Sequence, residues 1–177
     1  MARSAADFEL TLDELRAVAR FAAESAREVL PLFEEAVPDD GRPRAAIDAA
    51  VVFADGAART RRQRDAAAEA HRAAAEAPDE VSRLAAGSAG DAAAAAYLHP
   101  LFRASQVGHI LRAAARAAHA AELAAGARSE GAEAALQRVL GRATPVVVDV
   151  LSRYPPAPTG RSRTAQLLTT LDTALRR

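Results

Sequence analysis

The chain has 177 residues, with 23 basic residues, all Arg, against 23 acidic ones, and no Cys. One domain is the default at this length, and such a chain can bury a core without disulfide or metal staples. Zero Cys excludes disulfide scaffolds, thiolate metal sites and cysteine nucleophiles; zero net charge argues against a basic nucleic-acid binder; and no run of 18 apolar residues exists to span a membrane.

Fifty residues are Ala, the strongest helix former, and β-branched residues are few. Residues 1–10 form a charged lead-in without an apolar signal core, so a cytoplasmic protein is expected. Thr11 and Glu14 have capping-box spacing. Leu12, Leu15, Ala19, Ala22, Ala26 and Val29 then repeat at helical intervals, with Arg20, Glu24 and Arg27 on the polar side. Pro31 is expected to kink this helix or to open a short second one through Ala36. After the turn at Pro38–Gly41, helices are expected over 43–54 and 60–77. Pro78-Asp79-Glu80 starts the next, which breaks at Gly87-Ser88-Ala89-Gly90 and resumes from Asp91 to Leu98. Pro100 opens a long helix to about Ala125, and another runs from Glu130 to Arg153 with an interruption at Pro145. Val51–Phe53 and Val146–Val148, the two strand-like runs, sit inside longer periodic segments and read as buried helix turns. A Pro-rich connector at 155–160 precedes a last helix, Ser162–Leu175. The fold expected is all-α: a single-domain helical bundle of about six to eight Ala-rich helices over residues 11–177. Large apolar residues are scarce, so these helices must approach closely through small side chains.

Several segments carry a resemblance. The stretch from Gly90-Asp91-Ala92 through Tyr97-Leu98-His99-Pro100, then Gln106-Val107-Gly108-His109 and the Ala/Arg/His helix to Gly126, resembles a bacterial family described as "putative immunity protein", of the immunity-protein-five-like type. The opening Phe8–Arg16 and the tail Arg153–Arg161 are also similar, so the likeness extends over roughly residues 8 to 175. It implies an all-α protein that protects its producer by binding a toxin protein or a natural product. No phosphate-binding G-x-x-x-x-G-K-[ST] loop is present.

The long helix carries the best polar constellation. Ser105, His109, Arg112, Arg116 and His119 fall on one face, opposite Ile110, Ala114, Ala117, Ala118 and Ala121. One reading is a cationic stripe that grips a carboxylate, a phosphate or an acidic partner surface; the plainer one is a solvated helix face. The absence of Lys and Asn, whose codons are AT-rich, points to a high-GC genome and lowers the weight of any Arg cluster. Asp91, Tyr97 and His99 are secondary candidates, as a small acid/base site or as a hydrogen-bonded core Tyr with its neighbours. His71 completes the four His. No H-E-x-x-H or E-x-x-H pattern occurs, and His119 with Glu122 would need His99 or His109 to converge on a metal. No metal and no cofactor are therefore expected. Arg59, Arg61, Arg62 and Arg64 form a basic run without interleaved aromatics, balanced by Asp65, Glu69 and Glu76, so no nucleic-acid partner is expected.

The expectation is a non-catalytic binding protein, with His109, Arg112, Arg116 and His119 as the contact. The alternative is a small enzyme, or a protein that sequesters a small molecule, in a natural-product biosynthetic cluster. A polar pocket holding two of Asp91, Tyr97, His99 and His109 would favour the enzyme, a closed apolar cavity the carrier, and an exposed stripe without a pocket protein docking. Neither a membrane partner nor a catalytic residue is expected, and self-association into a homodimer is left open.

Overall fold

A computed structural model of the chain describes residues 8–126 and 129–177; most of the expected lead-in, residues 1–7, lies outside the described residues. The first helix, α1 (Leu12–Ala36), starts at the capping box read from the sequence. Thr11 Oγ1 accepts from the Glu14 N–H at 3.2 Å, and the Glu14 carboxylate accepts from the Thr11 N–H at 2.8 Å. Pro31 neither ends α1 nor opens a new helix. It and Arg27, whose carbonyl loses its helical donor, are both exposed, so water can satisfy that carbonyl.

Seven further α-helices follow among the described residues: α2 (Arg42–Ala54), α3 (Arg61–Glu76), α4 (Glu80–Ala94), α5 (Val107–Ala124), α6 (Ser129–Arg142), α7 (Pro145–Ser152) and α8 (Arg163–Leu175). No strand occurs among the described residues, and no helix there is long and apolar enough to cross a membrane. Val51–Phe53 lies within α2 and Val146–Val148 within α7, as the periodicity required.

The expected break at residues 87–90 does not occur. α4 runs through it, because this is the central helix, packed against α1, α2, α3 and α5. Every residue from Leu84 to Ala93 is buried. A helical Gly costs about 1 kcal/mol relative to Ala, but at the centre of this bundle small residues let the neighbours close in. Ser88 Oγ adds a bond across the α4–α5 interface, donating to the Ala113 carbonyl at 2.7 Å.

α5 also begins later than Pro100 suggested. Residues 98–103 are irregular, and a single 3₁₀ turn, Ala104–Gln106, leads into Val107. The His99 backbone is committed elsewhere: its N–H donates to Gln106 Oε1 at 2.9 Å, and its carbonyl accepts from the Tyr154 hydroxyl at 2.8 Å. The helix expected over 130–153 divides at Thr144, whose hydroxyl caps α7.

The core matches the composition. A handful of large side chains, Phe21, Phe33, Ile47, Phe53 and Leu111 among them, are fully buried, and Ala fills most of the rest. Salt bridges tie neighbouring elements: Arg44 to Glu34, Arg42 to Glu76, and Arg138 and Arg142 together to Glu28. The Pro-rich connector is pinned down. Buried Asp172 on α8 accepts from the Ala157 N–H at 2.9 Å and pairs with Arg176, whose guanidinium donates to the Tyr154 and Pro155 carbonyls.

Candidate functional site

α5 buries Val107, Ile110, Leu111, Ala114 and Ala118. Positions 112, 116 and 119 fall at i, i+4 and i+7, on the flank that these apolar residues leave open. There Arg112, Arg116 and His119 line an open cleft of about 790 Å³. α3 contributes His71, and α4 contributes Arg83, Leu84 and Gly87. Ser105 lies at the 3₁₀ turn, and the connector and first turns of α8 supply Pro158, Ser162, Thr164 and Leu168.

Behind this lining sits Asp91, 6% exposed. Arg116 Nη1 stands 3.0 Å from its Oδ2, and His71 Nε2 stands 3.6 Å from its Oδ1. Oδ2 nevertheless receives no well-aligned hydrogen bond, so the contact with Arg116 is Coulombic. Burial pushes the Asp91 carboxyl above its ordinary value, against the opposing pull of Arg116, His71 and Arg112. Burial also holds His71 below its ordinary value; Asp91 raises it, and Arg116 and Arg112 lower it further.

Glycines make this cluster possible. A Cβ on Gly87 would lie 2.7 Å from Arg116 Nη1, and one on Gly90 would lie 2.8 Å from the His71 ring. A Cβ on Gly108 would lie 2.2 Å from Arg112 Nη2. Each bare backbone position thus seats one basic side chain.

Arg83 pairs with Glu80 within the first turn of α4. Arg112 is exposed and has no ion-pair partner among the described residues. His119 Nδ1 shares a 2.9 Å hydrogen bond with Thr164 Oγ1, linking α5 to α8, and burial lowers its affinity for a proton. Beside it Glu122 receives the Arg163 guanidinium through both carboxylate oxygens.

The cleft therefore gathers Ser105, Arg112, Arg116 and His119 from the predicted set, with Asp91 as their buried support. It does not gather the others. His109 is half-buried against the backbone of Ala94, and burial lowers its pKa. The Tyr97 hydroxyl donates to the Thr60 carbonyl at 2.7 Å, while Arg59 and Arg64 lie over its ring at 5.4 and 4.9 Å from the centroid. Two members of the basic run at 59–64 are accounted for by that aromatic contact. His99 serves through its backbone. His71 and the α8 wall were missed as site components; the nearest signal was glycine at i−4 and i−1 of Asp91. Among the described residues no group of three or more His, Asp or Glu side chains could hold a metal ion.

The family model described as "Imm-5 like putative immunity protein" matches residues 9–138. No curated protein and no solved structure matches the chain. The matched segment holds α1 to α5 and most of α6, so the basic floor of the cleft lies inside it and the α8 wall outside it.

Proposed function

The chain belongs to the Imm-5 like putative immunity protein family, and from that membership we propose that it protects its producer by binding, without catalysis, through the cleft between α3, α4, α5 and α8. The observation that carries this reading is the Arg112 guanidinium, without an ion-pair partner among the described residues, beside the Arg116–Asp91 pair at the wall of an open cleft. A half-buried cation braced by a buried carboxylate, beside a second cation, is a preorganised seat for an anionic group, and Arg matches carboxylate or phosphate oxygens two at a time. The cleft departs from each arrangement expected from the sequence: most of the stripe lies in a pocket, that pocket is open and mixes polar with apolar side chains, and its lining omits Asp91, Tyr97, His99 and His109.

The test is survival. A strain lacking the gene is grown against its toxin-producing kin, complemented with wild type or with Arg112→Ala. Wild type restores survival and Arg112→Ala does not, although its melting temperature is unchanged, since an exposed substitution shifts stability by about 0.5 kcal/mol at most. Full protection by Arg112→Ala would place the contact elsewhere. One observation favours a second reading: the Thr164–His119 hydroxyl–imidazole pair has the reach of a nucleophile with its base. That enzyme reading requires Thr164→Ala to abolish protection, whereas binding through Arg112 tolerates it.

A further inference from the structure

The binding reading leaves the ligand open between a protein surface and a small molecule, and between carboxylate and phosphate. Size bears on the first choice. About 790 Å³ falls within the roughly 300–1,000 Å³ of sites that engulf small molecules. Charge bears on the second. Arg83 is offset by Glu80, and Arg116 by Asp91, so Arg112 alone remains uncompensated among the cations that line the cleft. His71 and His119, both held below the ordinary imidazole value by burial, stay neutral at neutral pH and offer ring nitrogens rather than charge. At the α8 end, the Arg163 and Thr164 N–H groups have no partner among the described residues, which adds partial positive potential. One full charge with neutral donors suits a singly charged oxyanion; a phosphate monoester dianion would call for a second cation. The rest of the lining includes Leu84, Leu168 and several Ala side chains, an apolar bed for the body of the molecule.

We propose that the cleft is a small-molecule site for an organic monocarboxylate, its carboxylate on the Arg112 guanidinium and its apolar body against Leu84 and Leu168. The proposal rests on the binding reading above and narrows its ligand to one chemical class.

The experiment is calorimetric titration of the full chain at neutral pH with 2-naphthoate, 2-naphthamide and 2-naphthyl phosphate. Naphthoate binds saturably, and the amide and the phosphate ester each bind at least about tenfold more weakly. Arg112→Gln loses about tenfold in naphthoate affinity, while Arg112→Lys, which keeps the charge without the fork, lies between it and wild type. Gly108→Ala gives an independent check, because its Cβ would displace the Arg112 guanidinium without removing it; it also weakens naphthoate. Tighter binding of the phosphate ester, no binding of naphthoate, or equal binding by Arg112→Gln would each overturn the proposal. Its failure is separable from that of the protection reading. An Arg112→Ala strain that survives fully while naphthoate still needs Arg112 in the calorimeter refutes protection through Arg112 and leaves the carboxylate site standing. A strain that dies although no carboxylate binds does the reverse.

Discussion

At the residue scale, two arginines one helical turn apart have different work. Arg116 faces buried Asp91 at 3.0 Å, so removing it strands a carboxylate that burial already disfavours. Arg112 has no such debt to the fold. The glycines set where each basic group can sit, and they reverse the usual rule that Gly→Ala steadies a helix. A Cβ on Gly90 would meet three atoms of the His71 ring at 2.8 to 2.9 Å, too close for any real contact. Gly90→Ala should therefore destabilise the protein by ~1–3 kcal/mol in denaturant unfolding, the cost of overpacking. In a His71→Ala background the obstacle is gone, and the same change should be neutral or stabilising by up to ~1 kcal/mol. Additive effects of the two substitutions would show that His71 is not what the glycine accommodates.

At the scale of elements, the legible features are those governed by neighbours in sequence. The Thr11–Glu14 box started α1 where it was expected, and the period of α5 put Ile110 inward and Arg112 outward. What failed depends on packing between distant segments. Gly87-Ser88-Ala89-Gly90 reads as a breaker by propensity, yet α1, α2, α3 and α5 surround it and reward small size. The stripe was readable as a face, but which of its members reach a cleft is decided by His71 on α3 and by α8, residues far from α5 in the chain. That α8 wall hangs on Asp172, which holds both the Ala157 N–H and the Arg176 guanidinium while only 3% exposed. Asp172→Ala leaves both donors without their carboxylate. It should cost ~2–3 kcal/mol, the scale of hydrogen bonds to a charged group, and open residues 155–160 to limited proteolysis. A variant as stable and as protease-resistant as wild type would mean that α8 is held by Leu167 and Leu171 alone.

At the scale of the whole molecule, proton linkage ties the cleft to stability. Burial, foremost, lowers the pKa of His71, His109 and His119 below the ordinary 6.5. The unfolded chain then binds more protons than the folded one near that value, so stability rises with pH through it and is lost on acidification. Three carboxylates act lower on the scale. Hydrogen bonds from Arg153 to Glu14 and from Arg42 to Asp40 lower those pKa values, and at Glu28 burial pulls upward but Arg142 and Arg138 outweigh it. Their stabilisation is present above the ordinary carboxylate values of 4.5 and 3.8 and disappears as pH falls through the lowered ones. Asp91 has the opposite sign. Its raised pKa makes the folded state take up a proton first, which offsets part of the loss at acid pH. On acidification the melting temperature should therefore decline in two stages, the first beginning as pH falls through the ordinary imidazole value of 6.5 and the second beginning below the ordinary carboxylate values of 4.5 and 3.8. His71→Gln should make the first stage shallower, since His109 and His119 still contribute, and leave the second, because Glu14, Glu28 and Asp40 lie on other elements. A melting temperature that is level through the first interval would mean that the three imidazoles protonate as freely in the fold as in the unfolded chain. His71 and His119 would then charge as pH falls through 6.5, and below it the cleft would carry more positive charge than a single carboxylate requires.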